Sequence, residues 1–284
     1  MTDAPPITVR SGAATDAGLR RTLNEDAFLA EAPLFLVADG MGGHAAGEVA
    51  SAAVIAEFAQ LAGRASVTVD EVREAFERAQ DRVLALPEGG GAGAGTTLSG
   101  VVVTELNGDG YWLTINLGDS RTYRLSDGAL EQVSVDHSYV QELVDSGQLS
   151  PEDAHIDSRR NVITRAIGAG SVAVPDFWLL PAEAGDRILV CSDGVSGELT
   201  SEQIARVLCS EPDAQQAATR LVHEAMIHGG RDNVTAVVVD ALDVVGQGDR
   251  GEVRDETLPG VPVDDYPDEN TVPREPQTTG GGVA

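Results

Sequence analysis

Short apolar runs bounded by glycine, proline and charged residues recur along the first 243 residues, and this pattern predicts strands. Two of the runs, 98–103 and 234–239, are apolar along almost their whole length, with Ser99 and Thr235 as the exceptions, which is typical of strands covered on both faces. The complete set of predicted strands is 7–14, 26–31, 34–38, 96–104, 111–117, 121–125, 177–180, 187–191 and 234–239.

Apolar residues at helical spacing fill most of the remaining chain, and they predict helices at 45–61, 69–86, 138–146, 201–210 and 213–227. Asp70 and Ser201 are interpreted as N-terminal caps. The neighbouring runs 111–117 and 121–125 are interpreted as a hairpin, which implies antiparallel pairing. We therefore predict an α+β fold of antiparallel sheets packed on each other with helices outside, rather than a doubly wound parallel sheet.

The composition changes near residue 243. Segment 244–284 holds nine acidic residues, three arginines, seven glycines and five prolines, with few apolar residues to anchor it. It is therefore predicted to be a disordered acidic tail behind one folded domain at 1–243. The glycine run 88–95 predicts a flexible loop. A phosphate-cradling role for it is disfavoured because it follows a helix and lacks the GxxxxGK[ST] pattern.

The formal net charge is −27, and all 19 basic residues are arginine. Such a surface repels nucleic acid and anionic membranes, so neither is expected as a partner. No apolar run of about 18 residues occurs, so no membrane span is expected. The stretch MTDAPPITVR lacks a basic region followed by an apolar one, so no signal peptide is expected. Cys191 and Cys209 lack metal-ligand spacing, and a reducing cytoplasm is expected. If the protein handles an anion, positive charge must come from metal ions or a few arginines.

Four segments place an acid at the edge of an apolar run: Asp39-Gly40, Asp119-Ser120, Asp193-Gly194 and Asp232-Asn233. Any one of these pairs alone is a common turn. Several carboxylates at one sheet end would repel each other, and a hard cation such as Mg²⁺ or Mn²⁺ would remove that penalty. From the residues alone, separate turns and a shared metal site both remain open.

The sequence resembles the bacterial form of the metal-dependent type 2C serine/threonine protein phosphatases (PPM-type). Eight motifs carry the resemblance, in the order of the family: RTLNEDAF (21–28), VADGMGGHAAGEVAS (37–51), GTTLSGVVV (95–103), INLGDSRTYRL (115–125), DHSYVQELVDSGQL (136–149), RNVITRAIG (160–168), LVCSDGVSGEL (189–199) and GGRDNVTAVVV (229–239). The resemblance implies a central β-sandwich of two antiparallel sheets flanked by helices, in four α-β-β-α layers, with metals in a cleft at one end.

The resemblance also assigns metal ligands. Asp39 matches the carboxylate that bridges two metals, and the Gly40 carbonyl matches a ligand of the first. Asp193 and Asp232 match ligands of the second. Asp119, together with Asp193, matches the acids that hold a third, weaker metal. The implied cofactors are Mn²⁺ or Mg²⁺, with two ions per chain, or three if the weaker site fills.

Two further residues match catalytic positions in the family. Glu25 matches an outer-shell acid that binds metal-coordinated water, and Arg21 matches the phosphate-binding arginine. A hydroxide bridging two metals about 3.5–4 Å apart would attack phosphorus directly, so no covalent intermediate is needed. The planar fork of Arg21 suits two phosphate oxygens, which Lys cannot imitate.

The sequence departs from the family pattern at two places. Met41 stands where many members have a general-acid histidine, and the nearest histidine is His44, which either donates a proton or supports the loop. Residues 136–170 are expected to form a mobile flap beside the cleft. Asp157 and Ser158 occupy positions in that flap where bacterial relatives often carry His-Pro.

Three functions are weighed. The first is hydrolysis of phosphoserine and phosphothreonine on proteins, opposing Ser/Thr kinases in bacterial signalling. The second is a narrow partner-switching phosphatase for an anti-sigma-factor antagonist, and the third is a metal-binding adaptor without turnover. In the tail, Thr257 and Thr271 follow acids, so they are either kinase sites read by a phosphothreonine-binding partner or part of a solvated tail.

Overall fold

Two antiparallel sheets pack face to face in the residues that the structure describes, which are 4–42, 46–86, 93–154, 156–168 and 173–246 of this computed structural model. The strands are β1 (Ile7–Asp16), β2 (Asp26–Glu31), β3 (Leu34–Met41), β4 (Gly95–Thr96), β5 (Leu98–Leu106), β6 (Asp109–Leu117), β7 (Arg121–Ser126), β8 (Ala129–Gln132), β9 (Asp176–Pro181), β10 (Arg187–Cys191) and β11 (Val234–Val244). One sheet has the order β1-β11-β10-β7-β8. The other has the order β2-β3-β5-β6-β9, with β4 paired to β3.

Helices cover both outer faces of the sandwich. They are α1 (Ala46–Phe58), continued by a 3-10 turn at Ala59–Leu61, α2 (Val69–Leu84), α3 (Tyr139–Asp145), α4 (Pro151–Ala154), α5 (Asp193–Ser196), α6 (Ser201–Ser210) and α7 (Ala214–His228). This is the predicted α+β fold, and the predicted β-sandwich flanked by helices is confirmed. None of the described helices is both long and apolar enough to cross a membrane.

Three apolar layers hold the four structural layers together. The inner layer lies between the sheets and includes Phe35, Val101 and Trp112 from one sheet and Ile188 and Val237 from the other. A second layer joins α1 and α2 to the β3 sheet, and a third joins α6 and α7 to the β11 sheet. Each large apolar side chain buried in this way stabilises the fold by about 1.5–3 kcal/mol. Both faces of β5 and β11 are covered, so 98–103 and 234–239 are almost entirely apolar.

Capping residues set the helix starts, and both predicted caps are wrong by one or two positions. Thr68, not Asp70, caps α2: its hydroxyl accepts from the Glu71 N–H, and the Glu71 carboxylate accepts from the Thr68 N–H. Thr200, not Ser201, caps α6 in the same reciprocal arrangement with Gln203. A capping box satisfies two backbone donors at once, so it outcompetes a single side-chain contact.

The predicted hairpin of 111–117 with 121–125 is wrong, because β6 and β7 lie in different sheets. β6 pairs with β5 through a turn at Asn107 and Gly108, and β7 pairs with the unpredicted strand β8 through a turn at Asp127 and Gly128. All four turn residues have positive φ, as a two-residue hairpin turn requires. The link from β6 to β7 therefore crosses between the sheets and carries Asp119 to one end of the sandwich.

The last strand ends slightly later than expected. β11 reaches Val244, which is buried, and the Val245 N–H donates to the Pro6 carbonyl at 2.8 Å. The strand therefore includes one residue of the segment assigned to the tail. Residues 247–284, with Thr257 and Thr271, lie outside the described residues, as does most of the glycine run 88–95.

Candidate active site

The predicted acids gather at one end of the sandwich, although they are far apart in sequence. Asp39 lies near the end of β3, and Asp119 follows β6. Asp193 begins α5 two residues after the end of β10, and Asp232 lies two residues before the start of β11. The carboxyl group of Asp39 is close enough to Asp26, Asp119, Asp193 and Asp232 for each to raise its pKa. The strand ends therefore bring the acids into one cleft.

Threonine side chains and backbone fix Asp39. The Asp39 N–H donates to the Thr97 hydroxyl at 2.9 Å, and the Asp39 carbonyl accepts from the Thr97 N–H and the Thr96 hydroxyl, both at 2.9 Å. Burial raises the pKa of the Asp39 carboxyl well above its usual range, and the neighbouring acids raise it further. The fold thus holds Asp39 rigidly in a position where its ionised form has a high electrostatic cost.

Gly40 is required by a close approach of two backbones. A Cβ on Gly40 would overlap the carbonyl oxygen of Gly47 in the first turn of α1, and a Cβ on Gly47 would lie 2.7 Å from the Glu25 carboxylate. The Glu25 carbonyl accepts from the Gly40 N–H at 3.2 Å and from the Ser51 hydroxyl at 2.6 Å. These glycines let α1 dock against β3 and hold Glu25 at the edge of the cleft.

Asp26 is a site residue that sequence reasoning missed. It lies directly opposite Asp39 in the β2–β3 pair. One of its carboxylate oxygens accepts from the hydroxyls of Ser192 at 2.8 Å and Thr235 at 2.6 Å. Burial is the main cause that raises its pKa to about 7. The signal in the sequence was its position beside Glu25 at the head of a strand.

The pKa values of Asp119 and Asp193 are also raised, and burial is the main cause for both. Burial first, and then repulsion from Asp193, raises the pKa of Asp119 to about 8. Burial followed by repulsion from Asp232 raises the pKa of Asp193 to about 6. Gly194 lets α5 begin here, because a Cβ at this position would overlap the carbonyl oxygen of Asn233. The link after β6 and the start of α5 thus bring these two acids close together.

Unpaired carboxylate oxygens test whether the cleft suits a cation. Among the residues that the structure describes, four buried carboxylate oxygens lack a hydrogen-bond partner: Glu25 Oε1, Asp26 Oδ1, Asp119 Oδ1 and Asp193 Oδ1. Buried polar atoms are normally paired, because each unpaired one costs about 1–3 kcal/mol or more. Carboxylate oxygens are also the ligands that Mg²⁺ and Mn²⁺ prefer. The donor set therefore fits a hard divalent cation.

The side chains alone do not close a coordination shell. Within the described ranges, no three carboxylate, imidazole or thiolate groups converge as a complete ligand set. Backbone carbonyls and water are the remaining oxygen ligands for such cations, and they commonly complete the shell.

Arg21 and Asp232 form the rim of the cleft. An Arg21 Nη2–H donates to Asp232 Oδ2 at 2.7 Å, and the two side chains are 51% and 36% exposed. This hydrogen bond is the main cause that raises the pKa of Arg21. Asn233 ties the neighbouring loop together, because its side chain accepts from the Glu25 N–H and donates to the carbonyls of Ala17 and Leu23.

The two departures from the family pattern lie in different surroundings. Met41 ends β3 and pairs with Gly95, while His44 lies outside the described residues. In the flap, Arg159 donates to both oxygens of Asp157, at 2.9 and 2.8 Å, and stacks 5.1 Å above the Tyr139 ring. This pairing lowers the pKa of Asp157 to about 2. Asp157 is therefore charged and already partnered.

Comparisons with known proteins agree with this geometry. A family model described as Protein phosphatase 2C matches residues 19–226. The serine/threonine protein phosphatase PstP of Mycobacterium tuberculosis H37Rv is 41% identical over 242 residues, which are 84% of this chain and 46% of that protein. This chain thus spans about half the length of that relative.

Solved structures extend the comparison to the whole fold. The crystal structure of M. tuberculosis PstP/Ppp superposes with a TM-score of 0.77 at 39% identity, covering 83% of this chain and 99% of the other. The PstP catalytic domain in complex with two manganese ions superposes with a TM-score of 0.74 at 39% identity, with the same coverage.

Proposed function

Because the chain belongs to the protein phosphatase 2C family, we propose that it hydrolyses phosphoserine and phosphothreonine monoesters on proteins. The observation that carries the proposal is the group of buried, unpaired carboxylate oxygens at the end of the sandwich. A bound Mn²⁺ or Mg²⁺ pair would neutralise these acids and supply an activated water with Lewis-acid stabilisation of the phosphate.

In this proposal, some acids coordinate the ions directly, and others orient water around the ions. In this proposal Asp39, the Gly40 carbonyl, Asp193 and Asp232 hold two ions, and Asp119 with Asp193 holds a third. The rigid hydrogen bonds from Thr96 and Thr97 to the Asp39 backbone support this role, because a ligand that cannot move loses little entropy when it binds. The raised pKa values support it as well, because a cation relieves the repulsion that raises them.

Glu25 and Asp26 act around the ions. Each has one buried carboxylate oxygen without a protein partner. The Glu25 N–H donates to the Asn233 side chain, and the other Asp26 carboxylate oxygen accepts from the Ser192 hydroxyl. Such groups orient water at a metal site and tune its acidity. We assign this role to Asp26 as well as to Glu25. Of the two, only Glu25 was assigned a role from the sequence.

Arg21 binds the substrate phosphate. Its guanidinium lies at the open rim, half exposed, so a phosphoryl group can reach it. Its present partner is Asp232. A cation on Asp232 would compete for that carboxylate and free donors of Arg21 for two phosphate oxygens. The anion would then meet local positive charge despite the net charge of −27.

The same proposal sets the biological role. The substrates are Ser/Thr-phosphorylated proteins, including kinases and their targets, within a cytoplasmic signalling circuit. A non-catalytic metal-binding adaptor is disfavoured because the whole set of acids is present in one cleft. Breadth of activity on phosphopeptides separates a general phosphatase from a narrow partner-switching one.

Turnover under metal control tests the proposal. We would assay p-nitrophenyl phosphate and a phosphothreonine peptide in EDTA, Mn²⁺ and Mg²⁺, using wild type, Asp39→Asn and the exposed-acid control Asp243→Asn. We expect turnover that needs Mn²⁺ or Mg²⁺, disappears in Asp39→Asn and persists in the control. Turnover in EDTA, or full activity of Asp39→Asn, would contradict the proposed site. A folded wild type without turnover in any metal would favour the adaptor.

A further inference from the structure

The first two residues of the flap hold both sides of the Asp119 turn. We call Asp136 and His137 the flap root, and residues 118–121 the acid turn. Arg121 donates three hydrogen bonds to the Asp136 carboxylate, at 2.9, 3.0 and 2.6 Å. Gly118, on the other side of Asp119, contacts His137. Two consecutive residues of the flap therefore bind the acid turn on either side of Asp119.

His137 makes the second link, through both its ring and its backbone. Its side chain is only 5% exposed. The Gly118 N–H donates to His137 Nδ1 at 3.2 Å, and the His137 N–H donates to the Gly118 carbonyl at 2.8 Å. Because a backbone N–H can only donate, Nδ1 is the acceptor, and the ring proton sits on Nε2. Nε2 then donates to Asp176 Oδ2 at 3.0 Å on β9.

His137 also binds the C-terminal part of the flap. The Thr164 N–H donates to the His137 carbonyl at 2.8 Å, and Ser138 pairs with Ile163 as a β-bridge. The backbone of His137 therefore has the acid turn on one side and the returning end of the flap on the other. A displacement of either flap end at these contacts therefore acts on His137, which is hydrogen-bonded to the acid turn.

The acid turn has little room to absorb such a displacement. Gly118 has φ of +110°, and a Cβ there would lie 2.5 Å from the Thr97 side chain. The Thr97 hydroxyl also contacts the Ser120 hydroxyl at 2.8 Å and accepts from the Asp39 N–H. The turn is thus enclosed between His137 and the threonine that positions Asp39, and close-packed contacts transmit small shifts.

We propose that His137 is a positioning residue whose Nδ1 acceptor, together with Asp136, makes the placement of Asp119 depend on the flap. The proposal rests on the proposed function in one respect, which is that Asp119 serves as a ligand of the weaker metal. A peptide substrate that moves the flap would then alter occupancy of that metal, and the metal would in turn order the flap, because coupling between two sites is reciprocal.

Two substitutions of His137 separate its two nitrogens. In His137→Asn the side-chain oxygen takes the place of Nδ1 and can still accept from Gly118, while the contact with Asp176 is lost. In His137→Gln the side-chain amide reaches the Nε2 position and keeps Asp176, while the Gly118 acceptor is lost. Asp145→Asn, on the exposed surface of the flap helix α3, is the matched control.

Mn²⁺ titration is the first readout. Loss of a residue that orients a metal ligand typically weakens metal affinity by about 10–100-fold. We expect His137→Gln to raise the Mn²⁺ concentration for half-maximal activity, and the Kd of the weakest ion by calorimetry, about tenfold. We expect KM for p-nitrophenyl phosphate to stay within about twofold, because Arg21 is untouched. His137→Asn and Asp145→Asn should stay near wild type.

Hydrogen exchange of the metal-free protein is the second readout, and it does not depend on catalysis. In His137→Gln the amides of Gly118 and Thr164 should exchange about tenfold faster or more, while those of β5 stay protected. If His137→Gln does not fold, Asp136→Asn provides the same test from the other flank. Equal behaviour of His137→Asn and His137→Gln, or unchanged Mn²⁺ titration and exchange in both, would overturn the proposal.

Failure of the proposed function has a different signature. It would appear in the wild type, as absence of metal-dependent turnover, whereas failure of the positioning role appears only in the variants. In the first case the exchange experiment still decides whether His137 couples the flap to the acid turn.

Discussion

Two groups of buried acids in this molecule are treated in opposite ways. Asp186 is almost fully buried, and it accepts from the Trp112 indole at 3.1 Å, the Arg124 guanidinium at 2.9 Å and the Glu183 N–H at 2.9 Å. Asp240 is likewise paired with Arg187. In the cleft, by contrast, Asp26, Asp119 and Asp193 each keep a buried oxygen without a partner.

The comparison shows how the negative charge of a buried acid is balanced when that acid contributes only to stability. At Asp186 and Asp240 the sequence supplies arginine, and the negative charge is balanced inside the protein. In the cleft it supplies several acids around one place, and burial raises their pKa values. Such an arrangement destabilises the metal-free protein, so it indicates a positive ligand that the chain itself does not provide.

Removal of a buried acid that is paired with arginine should lower the free energy of unfolding more than removal of a cleft acid. Asp186→Ala leaves Arg124 partly buried and without its main partner, and breaking a buried ion pair costs about 3–5 kcal/mol. Urea denaturation of the metal-free protein measures this loss, with exposed Asp243→Ala as the control, expected within about 0.5 kcal/mol of wild type. A loss below about 1 kcal/mol for Asp186→Ala would remove the contrast between the two groups.

Removal of a cleft acid should lower activity without lowering the stability of the metal-free protein, unlike removal of Asp186. Asp193→Asn should reduce metal-dependent turnover by about a hundredfold or more, since even supporting residues of metal sites cost 10–100-fold. The same change should leave the metal-free protein as stable as wild type or more stable, because one repelling charge is gone. Parallel kinetics and urea denaturation test both halves. A variant that loses stability as Asp186→Ala does would show that Asp193 is a structural acid.

The pH dependence of the metal-free protein should report the same repulsion. The pKa values of Asp193, Asp26 and Asp119 are raised to about 6, 7 and 8, from about 3.9 when unfolded. Between pH 4 and 8 the folded state therefore binds more protons than the unfolded state, and stability falls as pH rises. Each pKa unit corresponds to about 1.4 kcal/mol. Melting temperatures in EDTA should thus decrease from pH 5 to pH 8.

Asp26→Asn is the matched variant for this pH series, and it should flatten the decrease. Saturating Mn²⁺ should reverse the trend, because the ion binds ionised carboxylates and displaces their protons. A wild-type curve in EDTA that rises steadily toward pH 8 would contradict the raised pKa values of the cleft acids.

Arg21→Lys should have the smallest effect. It keeps the charge and removes the planar fork, so one charge-assisted hydrogen bond to phosphate is lost, about 1.5 kcal/mol or roughly tenfold in KM. Stability in EDTA should hardly change, because the pair with Asp232 is half exposed. Steady-state kinetics on p-nitrophenyl phosphate decide this point. An unchanged KM would place the phosphate away from Arg21.

Much of this comparison was visible in the sequence, because strands and their ends are local patterns. The runs at 98–103 and 234–239 predicted doubly covered strands, while the acids at the edges of apolar runs left separate turns and a shared metal site both open. Family resemblance then gave the individual residues their expected roles. The structure confirmed the sandwich and brought the predicted acids into one cleft.

What the sequence could not show depends on contacts between distant segments. The crossing of β6 to β7 was missed because a Gly-Asp-Ser link resembles a hairpin turn. Asn107-Gly108 and Asp127-Gly128, which are typical of two-residue hairpin turns, were the sequence signal for the true pairs. Asp26 was missed because its importance comes from Asp39 across the sheet. The grip of His137 on Gly118 likewise joins residues of two different segments.

The most direct test of the metal site is a comparison of melting temperatures for wild type and Asp39→Asn at pH 7.5, each in EDTA and in saturating Mn²⁺. We predict that Asp39→Asn melts at or above the wild-type temperature in EDTA and gains little from Mn²⁺, while wild type gains several degrees, because Mn²⁺ binds preferentially to the folded state. A variant that melts below wild type in EDTA and gains as much from Mn²⁺ would contradict the assignment of this cleft as the metal site.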